Sequence, residues 1–294
     1  MQADETLRGA GLRRAILAEY RARHGGRDAQ LLWPRRYTEK VQWRKAFDRN
    51  PAFPALCCKL AARDVIATRI GRDLLVPVLW AGSDPGSLPL ERLRGPCVVK
   101  STHASGDVLR LDLPPSDPAA VRALCASWLA RGFRAVEPAY TGLARRLVLE
   151  PRLSLPDGSP PVERRIFVFG GRARVINSVV VEAGQVRNGA FHTPQWALLD
   201  WHFSRPPLEV ARPCAAVLAA MIDAAERVAA GFDHLRVDFY DTGERAWIGE
   251  VTVYPWSGLA AFRPDAADFA LGAMWRLPWH ALLGQGIRRG RRDA

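Results

Sequence analysis

Lysine is almost missing from this sequence: of 42 basic residues only Lys40, Lys45, Lys59 and Lys100 are lysine, and the rest are arginine. Cysteine is sparse as well. The five cysteines are odd in number, show no C-x-x-C spacing and include the adjacent pair Cys57 and Cys58. That excludes a disulfide framework, argues against a zinc ribbon and fits a reducing cytoplasm. Long apolar runs are missing too: the most apolar stretch, residues 214–230, is interrupted by Asp223, Glu226 and Arg227, so no membrane span is expected. No apolar run follows the first basic residues, so no signal peptide is expected. No lysine follows a glycine, which excludes a Walker A loop, and G-x-S-x-G, H-E-x-x-H and G-x-G-x-x-G do not occur. Internal repeats are absent, and the one biased segment is a basic tail, Arg288, Arg289, Arg291 and Arg292, which reads as solvated.

What is present is a chain of 294 residues with 48% hydrophobic and 24% charged residues, the balance of a globular protein with two or three packed subdomains. Its net charge of +12 attracts anions, whether nucleic acid, nucleotide phosphate, acidic polymer or membrane surface, and serves solubility equally well. The lysines are the sharper clue. A chain that uses arginine almost everywhere keeps a compact point charge at four places, two of them beside element boundaries where phosphates can be met.

Leu12, Ile16 and Tyr20 recur at helical spacing before Gly25 and Gly26, a second helix opens at Thr38, and a third opens at Lys59, with Ala62, Ile66 and Ile70 on one face and Gly71 as its stop. Strands are expected at 76–80, 97–100, 108–113 and 147–150, with one helix at 118–131. The Pro- and Gly-rich segment 155–161 is a hinge. Beyond it come a hairpin of 166–169 and 174–181 about Gly170 and Gly171, and a helix between Pro213 and Gly231 with Val217, Met221 and Val228 on one face. Strands at 235–240 and 246–252 follow, then a last helix near 265–275. The class is α+β: two β-containing lobes behind a helical N-terminal segment.

Two elements carry chemistry. In 235–240, alternation puts Arg236, Asp238 and Tyr240 on one face and Leu235, Val237 and Phe239 on the other. In 247–252, Ile248, Glu250 and Thr252 are expected to share a face. A three- or five-residue connection would then set Asp238 and Glu250 on the same side, diagonal to one another. Two hard carboxylates beside an arginine suit Mg²⁺ and a polyphosphate, although an ordinary sheet face with cross-strand ion pairs has the same spacing. The second element is a strand that delivers Lys100 into a small polar loop, residues 101–107, able to lay N–H groups over phosphates. His103 read alone is a loop hydrogen-bonder.

These pieces in this order resemble the ATP-grasp ligases, in particular the TupA-like branch associated with teichuronopeptide and polysaccharide biosynthesis. The resemblance is carried by Thr38-Glu39-Lys40-x-Gln42-Trp43, by Asp48-Arg49-Asn50-Pro51, by Arg236-Val237-Asp238, by Gly249-Glu250-x-Thr252 and by Pro255-x-Ser257-Gly258, over about three quarters of the chain. It implies an ATP-grasp fold in which two α+β subdomains sandwich the nucleotide: a helical segment at 1–72, a lid subdomain at 73–153 and a catalytic subdomain at 154–294. It implies that Lys59 and Lys100 are the nucleotide lysines, and that His103, Ser105 and Gly106 lie in the lid over the β- and γ-phosphates. The Glu150 side chain and the Leu153 N–H would hold adenine. Asp238 and Glu250 would bind Mg²⁺, as two ions, and Arg236 with Arg165 would be the catalytic cations. Ser257 and Gly258 would bind a substrate carboxylate. Four departures stand out: Cys58 replaces an acid, Asp107 replaces a glycine, Pro151 lacks an N–H, and Thr252 stands where many relatives have asparagine.

The implied reaction joins a carboxylate to an amine. The carboxylate attacks the γ-phosphate of ATP, giving an acyl phosphate and ADP, and the amine then displaces phosphate. The alternatives are a kinase of a sugar or polyol hydroxyl, which shares every ATP residue, and a degenerate non-catalytic binder of nucleic acid or another anionic polymer. The binder ranks last, because no aromatic–basic alternation of the RNA-binding kind is present.

Overall fold

A computed structural model describes residues 7–112, 115–182, 185–203, 208 and 210–279. The basic tail and Leu113, the end of one expected strand, lie outside the described residues.

The N-terminal helices form where the apolar spacing places them. Helix α1 (Gly9–Arg23) buries Leu12, Ile16 and Tyr20. Helix α2 (Tyr37–Phe47) is opened by Glu39, whose carboxylate accepts the N–H groups of Arg35 at 3.0 Å and Arg36 at 3.1 Å, satisfying donors that the first turn leaves free. A short helix α3 (Phe53–Cys57) intervenes unforeseen, and α4 (Ala61–Ile70) starts two residues after Lys59 and stops at Gly71, where φ is 83°. The expected strand at 76–80 forms later, as β1 (Trp80–Gly82), because Pro77 has no N–H to give a ladder. The chain leading to β1 instead borders the other sheet, with the Leu74 carbonyl accepting the Ile248 N–H at 2.7 Å.

The smaller sheet adds β2 (Cys97–Ser101), β3 (Val108–Leu111) and β4 (Leu147–Pro151), all antiparallel in the order β1-β4-β2-β3. One face, with Cys97, Val99, Leu147 and Leu149, packs on Cys125 and Trp128 of α5 (Pro118–Ala130). The alternation of β2 and β4 then leaves Val98, Lys100 and Glu150 on the opposite face.

The larger sheet contains β5 (Val162–Phe169), β6 (Arg172–Glu182), β7 (Gln185–His192), β8 (Leu198–Leu199), β9 (His234–Asp241) and β10 (Ala246–Thr252), antiparallel in the order β10-β9-β5-β6-β7-β8. The β5–β6 hairpin turns through Gly170 (φ 55°) and Gly171 (φ 77°), the left-handed pair that a two-residue turn requires. Helix α6 (Ala215–Val228) covers one face, setting Val217, Met221 and Val228 in the same core as Ile166, Val237 and Phe239. The opposite face carries His234, Arg236, Asp238 and Tyr240. Its His234 end is closed by α2, through the Tyr37 hydroxyl on His234 at 3.0 Å, and by α7 (Asp265–Ala273), whose Asp268 accepts the Thr38 hydroxyl at 2.7 Å. No helix among the described residues is long and apolar enough to cross a membrane.

Candidate active site

The carboxylates meet by a route other than the one expected. Asp241 pairs with Ala246, so the β9–β10 connection is four residues, 242–245. An unbroken ladder from that turn would set Glu250 against Val237 and aim it into the core. A bulge between Ile248 and Glu250 inserts Gly249 as an extra residue, and Glu250 falls directly opposite Asp238. Ile248 therefore points to the core beside Phe239, not to the face that Glu250 and Thr252 share. Glycine is required at the bulge because a Cβ there would lie 2.6 Å from the Tyr240 ring.

On this face each arginine is clamped by a carboxylate two residues along its own strand. Arg236 donates to both Asp238 oxygens at 2.7 and 2.6 Å and to the Thr252 hydroxyl at 3.1 Å. Arg165, the cross-strand partner of Asp238, donates to both Glu163 oxygens at 2.9 and 3.4 Å. Burial opposes charge on Arg236, but Asp238, Glu250 and Glu163 outweigh it, so the guanidinium is held charged more firmly than a free arginine.

The two sheets present their polar faces to one another. Lys100 donates to Glu150 at 2.7 Å, and its ammonium lies 5.4 Å from the centre of the Tyr240 ring on β9. Burial disfavours the Lys100 charge, yet Tyr240, Glu150 and Glu250 raise its pKa on balance. A cleft between helices and sheets brings together Lys59, Arg63, Lys100, Glu150 and Glu250. Four of these were legible as candidates. Arg63 was missed; it follows Lys59 by one helical turn, and its guanidinium reaches the free oxygen of Glu150 at 3.2 Å. Lys59 crosses to the loop 101–107, donating its ammonium to the Ala104 carbonyl while its N–H binds the Thr102 carbonyl at 3.0 Å.

The remaining candidates are dispersed. Ser105 and Gly106 (φ 87°) lie exposed at the loop tip. His103 turns away from the cleft, its Nε2 donating to the Trp128 and Arg131 carbonyls at the C-terminal end of α5 at 3.2 and 3.3 Å, and burial lowers its pKa. Asp107 presents no loose carboxylate: Ser101 donates to it at 2.8 Å and Arg131 caps its other oxygen. Pro151 ends β4 opposite Cys97, and the Arg152 N–H is taken by the Pro96 carbonyl at 2.9 Å, leaving Leu153 as the next donor along the chain.

Ser257 and Gly258 sit in a short turn with left-handed backbone at Trp256 (φ 49°), Ser257 (φ 57°) and Gly258 (φ 65°). Such a conformation costs about 1–2 kcal/mol for each residue with a Cβ, so something must hold it. That is the part of α2 in which the sequence showed a characteristic block. Gln42 donates to the Ser257 and Gly258 carbonyls, both at 2.9 Å, and Lys45 donates to the Ser257 carbonyl at 2.7 Å and to its hydroxyl. Lys40 caps the end of α7 through the Gly272 carbonyl at 2.8 Å. Two of the four lysines thus brace the fold, and two line the cleft.

Among the described residues no cluster of three metal-ligating side chains exists. The paired Asp238 and Glu250 form a donor set of two hard carboxylates, which suits Mg²⁺, an ion usually bound by one or two carboxylates with phosphate and water completing its shell.

A cleft between two antiparallel sheets, with Lys100 and Glu150 on one, carboxylates and arginines on the other and Lys59 from the helical segment beside them, is the arrangement of the ATP-grasp class. The family model for TupA-like ATP-grasp proteins matches residues 39–276, and the chain belongs to that family. No curated protein matches it. Among solved structures it is similar to the ATP-grasp ligase PsnB complexed with a minimal precursor, with a TM-score of 0.44, 14% identity, and coverage of 82% of this chain and 64% of that one. It is also similar to D-alanine–D-alanine ligase from Bacillus anthracis complexed with ATP, with a TM-score of 0.46, 15% identity, and coverage of 81% and 69%. The chain thus spans less than two thirds of the PsnB chain's length.

Proposed function

We propose that the protein is an ATP- and Mg²⁺-dependent carboxylate–amine ligase that forms an amide bond and releases ADP, acting in the cytoplasm in polysaccharide or secondary-metabolite biosynthesis. The observation that carries this reading is the opposition of Lys100 and Glu150 on one sheet to Glu250 on the other around a single cleft, in a chain of the ATP-grasp family. Five free cysteines, three of them buried, fit a reducing compartment.

In this reading Lys59, Lys100 and Arg63 supply the positive field for the nucleotide phosphates, and Glu150 orients both Lys100 and Arg63 while offering its edge to adenine. The loop tip with Ser105 and Gly106 closes over the phosphates, while His103 anchors that loop to the end of α5, and the Leu153 N–H reads the adenine edge. Asp238 and Glu250 hold the metal, which supplies charge neutralisation between the phosphates when bound. Arg236 and Arg165 face the transferred phosphoryl group from the sheet. Arg236 presents a planar fork whose charge is stabilised by buried Asp238 and by the half-buried Glu250 and Glu163, suited first to the γ-phosphate and then to the oxyanion formed when the amine attacks. Ser257 and Gly258 lie at the substrate end of the same face.

Hydroxylamine trapping tests the reaction class. With Mg-ATP, hydroxylamine and a panel of amino acids and uronic acids, the enzyme is expected to yield a hydroxamate with at least one acid, because hydroxylamine intercepts an acyl phosphate. Stable phosphorylation of a sugar hydroxyl with no hydroxamate from any acid would make it a kinase instead.

A further inference from the structure

Lys45 is a buried charge with no place in the nucleotide cleft. Its side chain is wholly buried, in the last turn of α2, and its ammonium meets the Ser257 carbonyl, the Ser257 hydroxyl and, at 3.8 Å, the carboxylate of Glu137. Burial pushes its pKa down to about 8 although Glu137 pulls it up. A buried ammonium is a costly way to tie down a turn, and Gln42 already supplies one donor to the same carbonyl. What the turn carries explains the expense. The Trp256 ring lies 5.3 Å from the Arg236 guanidinium and stacks on Phe167 at 5.3 Å, so the left-handed turn sets the aromatic surface against which Arg236 rests. The turn has no slack toward α2: a Cβ on Gly258 would come within 2.4 Å of the Gln42 amide. Glu137 belongs to the segment between α5 and β4, where Arg134 also pairs with it at 3.5 Å.

We propose that Lys45 is a positioning residue for phosphoryl transfer: with Gln42 it holds the turn 256–258 in its left-handed form, and so fixes Trp256 beneath Arg236. Glu137 is its counter-charge, linking that turn to the segment leading into β4. The inference rests on the ligase reading above.

The test compares the wild type with Lys45→Met, which keeps the length and removes the donors. Mg-ATP affinity is measured by calorimetry, hydroxamate formation is measured per nucleotide-binding site, and amide exchange is followed over residues 254–259. The expected result is Mg-ATP affinity within about twofold of wild type, exchange at 254–259 faster by about tenfold or more, and turnover per bound nucleotide lower by about 10- to 100-fold. A merely structural lysine would reduce the number of binding sites but leave turnover per site unchanged, and that outcome overturns the inference. Gln42→Met removes the second donor without touching a charge, and is expected to give the same signature at smaller amplitude. It decides the matter if Lys45→Met fails to fold, with unchanged turnover per site again overturning the inference. No hydroxamate from the wild type itself overturns the ligase reading, and this inference falls with it; an active wild type with equally active variants overturns this inference alone.

Discussion

Charge at single residues sorts the candidate site into groups with partners and groups that wait for one. Asp238 is locked to Arg236 by two short hydrogen bonds, whereas Glu250 lines the cleft directly opposite it. The two carboxylates therefore respond differently to neutralisation. Asp238→Asn strands a buried guanidinium and is expected to lower stability by on the order of 3 kcal/mol, while Glu250→Gln should stay within about 0.5 kcal/mol of wild type; urea unfolding measures both. Both variants are expected to lose turnover, because each removes a hard anionic ligand at nearly constant volume. Equal stabilities would mean that the Arg236–Asp238 clamp contributes nothing. His234 supplies a pH signature. Its Nδ1 donates to the Val168 carbonyl at 2.8 Å and its Nε2 accepts the Tyr37 hydroxyl, and complete burial, with Arg44 nearby, holds its pKa well below the ordinary value. The unfolded chain binds a proton near pH 6.5 that the folded chain refuses. The stability from this group is therefore present above that pH and falls as the pH drops, by up to about 1.4 kcal/mol per pH unit. His234→Gln should flatten the melting temperature between pH 6.5 and 5; an unchanged slope would place the acid sensitivity elsewhere.

Strands and turns decide which faces these residues occupy, and here the sequence was legible only in part. Alternation in β9 alone identifies Arg236, Asp238 and Tyr240 as one face, since a strand has only two. That Glu250 shares a face with Asp238 was also readable, though as a diagonal neighbour and not as the direct cross-strand partner it is, and the cause was not. A bulge leaves no mark in a hydrophobic pattern, and only the contact between Gly249 and the Tyr240 ring shows why a residue is inserted there. Gly249→Ala should force a Cβ against the Tyr240 ring, 2.6 Å away, and lower both folding stability and turnover; an equally stable and fully active Gly249→Ala variant would show that the bulge does not need glycine. Strands β7 and β8 were not foreseen either, because they complete the sheet beyond the hairpin by pairing rather than by their own pattern. Helix α2 was readable as a helix, yet its polar block looked like a signature without a task. Its task is tertiary, since Thr38, Lys40, Gln42, Arg44 and Lys45 each bind a group more than 200 positions away in sequence or, for Arg44, on β9 and just beyond β10. No local pattern encodes such partners.

For the whole molecule, two sheets face each other across one cleft, and the chain's few lysines divide between lining it and bracing its walls. Lys100 and Glu150 come from the small sheet, Glu250 from the large one, and Lys59 and Arg63 from the helical segment that joins them. A ligand recognised by all three must bind the folded arrangement alone. Mg-ATP at a hundredfold excess over Kd should therefore stabilise the protein by about 2.7 kcal/mol, and Lys100→Met should lose most of that gain in a thermal shift. The most direct test is a calorimetric titration of ATP, with and without Mg²⁺, into wild type and Glu250→Gln. The account predicts that Mg²⁺ tightens ATP binding by about tenfold or more in the wild type, equivalent to about 1.4 kcal/mol, and that Glu250→Gln loses this gain while binding metal-free ATP as well as the wild type does. Equal affinity with and without Mg²⁺ in the wild type, or an undiminished Mg²⁺ effect in Glu250→Gln, would contradict it.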